Sequence, residues 1–107
     1  MFKVSIDFSV FTKEAAFGRV SGSLVLPALP QIGDAIAFRV SRKIDAYLDL
    51  LPFGGSMRVT HRIIPANADA EILLVLEDVT AATGDDARQL VAMMEEDYRL
   101  AAEVWED

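Results

Sequence analysis

The sequence predicts an α+β domain: about five mostly antiparallel strands, as a sheet or a small open barrel, with a C-terminal amphipathic helix packed on it. Three observations predict it. Residues 2–10 alternate strictly between apolar and polar. Further short alternating runs are separated by Gly, Pro and Asp. The last quarter of the chain switches to a period of three and four. At 107 residues the chain fits one domain spanning 1–107, and it shows no repeat, low-complexity tract or linker.

Phe2, Val4, Ile6, Phe8 and Val10 face one way and Lys3, Ser5, Asp7 and Ser9 the other, which reads as a half-buried strand. Thr12 to Gly18 reads as a short connection ended by Gly18. A second strand carries Val20, Leu24 and Leu26 opposite Arg19, Ser21 and Ser23, with Gly22 marking a bulge or a close approach. Pro27-Ala28-Leu29-Pro30 ends it, because proline cannot donate to a ladder. After a Gly33-Asp34 turn, residues 35–40 predict a third strand with Ile36, Phe38 and Val40 inward.

Residues 41–51 fit two periods. Ile44, Tyr47, Leu48 and Leu51 have helical spacing with Ser41 as N-cap, whereas Ile44, Ala46, Leu48 and Leu50 alternate as a strand would; the short helix is favoured. A fourth strand follows the 53–56 loop, with Met57, Val59, His61 and Ile63 on one face and Arg58, Thr60 and Arg62 on the other. Residues 70–77 read as a fifth, central strand, since Leu73 to Leu76 are apolar on both faces. Thr83-Gly84-Asp85-Asp86 then opens a helix of about five turns, its carboxylates at the positive end of the dipole. Ala87, Val91, Met94, Tyr98, Ala101 and Trp105 form its stripe, and Glu95 with Arg99 forms an i, i+4 pair on the polar side.

Composition narrows the function classes. With no cysteine and one histidine, the chain excludes a disulfide framework, a thiolate zinc site and a cysteine nucleophile. No phosphate-binding loop, dinucleotide fingerprint or hydrolase elbow occurs, so no catalytic residue, metal or cofactor is expected. No apolar run has the length of a membrane span and the N-terminus has no signal-peptide core, so a cytoplasmic protein is expected.

The net charge of −7 is uneven. Residues 1–64 hold eight basic and five acidic side chains, a net of +3; residues 65–107 hold two and twelve, a net of −10. A solvated helix face explains most of this. The sharper possibility is an acidic ligand or protein partner received by Arg39, Arg58, His61 and Arg62 on the sheet. Nucleic acid is disfavoured by the overall charge and by the lack of interleaved aromatic and basic positions. Apolar residues are 52% of the chain, more than one core needs, and the helix stripe is wide. A homodimer is therefore expected, with Met94, Tyr98 and Trp105 at its interface. Together these point to a non-enzymatic interaction or structural module, with a small-molecule or anion-binding domain as the alternative.

Overall fold

A computed structural model describes residues 1–38 and 56–105. Among them the chain forms an α+β structure with a mixed, open seven-stranded sheet and one C-terminal helix. The strands are β1 (Phe2–Thr12), β2 (Ala16–Leu26), β3 (Ala35–Ala37), β4 (Ser56–Ile63), β5 (Leu73–Leu76), β6 (Val79–Ala81) and β7 (Ala101–Val104), with α1 (Gly84–Tyr98) between the last two. The sheet order is β3-β4-β5-β1-β2-β7, and β6 continues alongside β1 past the end of β5. Two corrections follow: there are more than five strands, and β5 and β6 both run parallel to β1.

The alternation of β1 does what period two demands. Val4, Ile6, Phe8 and Val10 are buried, and their row continues across the sheet through Val20 on β2 and Leu74 and Leu76 on β5. Met57, Val59, Val79 and Ala81 belong to the same core. On its inner side α1 contributes Ala87, Leu90, Val91, Met93 and Met94, all buried, and packs against β1, β2, β6 and β7.

The expected connection at 12–18 is instead a hairpin with its turn at 13–15. Thr12 closes it, its Oγ1 accepting from the amides of Glu14 and Ala15. The register shifts at Val10/Phe11, so Val10 faces Gly18 while Phe11 faces Ala16. Phe17 is the extra residue of that bulge and is buried, which hides the alternation from a reading at period two. The Gly33-Asp34 turn forms as expected, with Gly33 at φ 95° and the Asp34 carboxylate accepting from the Gln31 amide. The helix or strand expected over 41–51 and the end of the third strand at 39–40 lie outside the described residues.

Thr83 caps α1 as its sequence predicts. It is extended, and its Oγ1 accepts from the Asp86 amide at 3.1 Å, an arrangement worth about 1 kcal/mol. The C-terminal boundary differs by almost two turns. Arg99 turns left-handed (φ 56°, ψ 34°) with its amide bonded to Met94 O, so the expected Glu95–Arg99 helical pair has no helix beneath its second member. Leu100 is buried, and 101–104 then pair antiparallel with the outer edge of β2. No described helix is long and apolar enough to cross a membrane.

Candidate functional site

A bulge in β4 decides where the basic residues go. Val59 pairs with Leu76, but His61 pairs with Val75, so Thr60 is an extra residue and every later side chain changes face. Arg62 therefore stands opposite buried Leu74, and Ile63 opposite half-exposed Leu73. His61, expected on the apolar face beside Val59, is exposed on the open face. Arg58 shares that open side, and its amide donates to Glu77 Oε1 at 3.1 Å. Arg62, expected beside Arg58, lies on the core side, half-buried, with an Nε sealed from water that makes no hydrogen bond to a described residue. Arg39 lies outside the described residues. Arg58, His61 and Arg62 thus do not make one face, and nothing in the one-dimensional pattern marks Thr60 as the break.

The bulge also fixes the imidazole. Thr60 Oγ1 donates to Val75 O at 3.1 Å and lies 3.1 Å from His61 Nδ1. With the hydroxyl hydrogen on the carbonyl, the Thr60 oxygen is left to accept from an Nδ1–H of the ring. A general base of this kind needs a carboxylate to orient it. Asp7 lies in the same row, but β5 intervenes, a separation of two strand spacings or roughly 9–10 Å. The Asp7 carboxylate is also engaged by Arg19, Nε to Oδ1 and Nη2 to Oδ2 both at 2.7 Å. No group of three or more His, Asp or Glu side chains that could hold a metal ion occurs among the described residues.

The rest of the open face is polar and internally paired. Glu71, just before β5, reaches across β1 to β2: Ser5 Oγ and Ser23 Oγ donate to its Oε1 at 3.0 and 2.8 Å, and Lys3 Nζ lies 3.6 Å from Oε2. The two hydroxyls, with Lys3 adding to them, hold the Glu71 carboxyl below its ordinary value of 4.5. A folded-state value below the unfolded one means stability that is complete above pH 4.5 and fades as the pH falls through the lower folded value. Glu71→Gln should therefore be less stable than the parent near pH 7, and the gap should close in acid. Urea midpoints of both proteins at about pH 7 and about pH 3 check this; a gap that stays constant would contradict it.

The expected interface residues separate. Met94 is fully buried inside the monomer and is not available to a second copy. Tyr98 is half-buried and meets Phe38 edge to face, with centroids 5.2 Å apart. Trp105 remains 44% exposed, just beyond β7, its amide bonded to Phe17 O.

A different apolar surface emerges from the register. Phe2 begins β1 opposite Leu26, Val25 is the last residue but one of β2 opposite Lys3, and Ile63 ends β4 two strands from Ser5. Met1, Phe2, Val25, Ile63 and Ile64 are all exposed towards this end of the sheet, Phe2 on the core side and Val25 and Ile63 on the open side, to either side of the Glu71 cluster. Beside Val25, a groove of about 420 Å³ runs between 26–30 and 34–37, lined mainly by apolar side chains. These positions lie far apart in sequence and carry no shared motif, so only strand order reveals them as a set. No known family model matches the chain, and no curated protein or solved structure is found to be similar to it.

Proposed function

We propose that the protein is a non-enzymatic protein-interaction module that associates with a second copy of itself. The apolar end of the sheet carries this reading. Exposed apolar side chains ring this end of the sheet, Phe2 on its core side and Val25 and Ile63 on its open side, and exposed apolar surface of this kind marks association sites. Charge favours an identical partner there. The chain carries −7 overall and repels its copies, but at this end Lys3 and Glu71 are paired with each other and the cation Arg62 precedes Ile63, so acidic charge does not build up there. The acidic first turn of α1 starts three residues after β6, which pairs with Val10–Thr12. Asp85 and Asp86 therefore lie at the far end of β1 from Phe2. A two-fold contact through the apolar end keeps these acidic turns apart.

An anion site built from Arg58, His61 and Arg62 has less support, because the β4 bulge divides those residues between two faces.

Sedimentation equilibrium tests the association. The parent chain should dimerise, and Ile63→Glu combined with Ile64→Glu should weaken the dimer at least about tenfold, a change of about 1.4 kcal/mol. Both side chains are more than half exposed, so the thermal midpoint should hold within a few degrees. A parent chain that stays monomeric at all concentrations would remove the proposal.

A further inference from the structure

We infer that β7 is an exchangeable strand, and that the outer edge of β2 at Gly18–Ser21 accepts the same segment from a second copy of the chain. Three observations support this independently of the apolar end. The first is the fit. Gly18 lies so close to β7 that a Cβ there would stand 2.4 Å from Glu103 O, and a Cβ on Gly22 would stand 2.9 Å from Leu100 Cδ2. The edge is therefore shaped to this strand, and whatever fits in cis fits equally when an identical chain supplies it.

The second is the hinge. Arg99, between α1 and Leu100, is the one non-glycine residue at positive φ among the described residues, a conformation L-residues adopt at a cost. Its strain disappears if the helix simply continues through it. The third is the sequence itself. The stripe Ala87, Val91, Met94, Tyr98 continues in step to Ala101 and Trp105, although 101–104 form a strand. The segment thus carries a helical pattern and a strand position at once, and three of its four strand residues are exposed.

Straightening at Arg99 carries residues 100–105 off their own sheet and leaves the β2 edge with unpaired backbone groups, a template for an added strand. A reciprocal exchange restores in trans every hydrogen bond that β7 makes in cis, and both hinges relax.

The absence of native cysteine makes the test clean. Ser21 and Ala101 are Cα partners across the β2–β7 pair, within the reach of a disulfide. Ser21→Cys and Ala101→Cys chains, made separately, are mixed, unfolded and refolded together, then oxidised with diamide. Exchange predicts a disulfide that joins position 21 of one chain to position 101 of the other, in excess of either self-linked product. Arg99→Gly, which accepts the left-handed turn, should weaken the dimer about tenfold relative to Arg99→Ala, which favours the straight helix. No excess of the mixed link, with a third chain that carries both substitutions closing only within itself, would overturn the exchange. If a dimer still forms under that outcome, association through the apolar end stands; if no dimer forms, both fall.

Discussion

Gly22→Val is expected to destabilise the fold by roughly 2–5 kcal/mol in urea denaturation, far more than a strand propensity scale would assign to it. Two costs add. Gly22 sits at φ 151°, where a β-branched residue is strained. A side chain there also runs into Leu100, whose Cδ2 and Cα would stand 2.9 and 3.3 Å from the first added carbon. Leu100 is buried and directly precedes β7, so it cannot move without pulling that strand from the β2 edge. Gly33→Ala is the control. Gly33 also has positive φ, at 95°, but an added carbon meets nothing within 4 Å, so only the backbone term of about 1 kcal/mol should appear. Equal losses at the two positions would show that the contact with Leu100 does not matter.

Phe8→Ala should cost about 3–5 kcal/mol, because the removed ring leaves a cavity that the sheet cannot close. Phe8 is 2% exposed, opposite Val20, in the middle of the row that β1 shares with β2. Phe2→Ala, six residues earlier on the same face, removes the same atoms from a site 45% exposed and should cost under about 1 kcal/mol. The alternation pattern of β1 treats both phenylalanines alike. Burial separates them, and thermal or urea unfolding of the pair measures that separation.

Much of the site's geometry was not legible from alternation because alternation assumes an unbroken ladder. It succeeds for Val4 to Val10, where β1 pairs in register with β2 from Phe2 onward. It fails at Phe17, where the added residue blurs the start of β2, and at Thr60, where it reverses the face of every later residue of β4. His61 and Arg62 exchanged faces for that reason alone. The apolar content that implied an association surface was read from composition, but it was placed on the helix. Met94 instead fills the monomer core, and Phe2, Val25 and Ile63 stay exposed at or next to the ends of their strands.

The C-terminal segment shows the division most sharply. Local sequence determined an α+β chain with a strand over residues 2–10, a turn at Gly33-Asp34 and a helix opened by Thr83, because period, turn residues and caps act within a few positions. The same local signals extended that helix to Trp105. Tertiary structure decided otherwise at Arg99. The outer edge of β2 offers residues 101–104 a full set of backbone partners, Gly22 makes room for Leu100, and together these outweigh the continuing helical stripe. Such a choice depends on an edge some eighty residues away in sequence, which no window along the chain can contain.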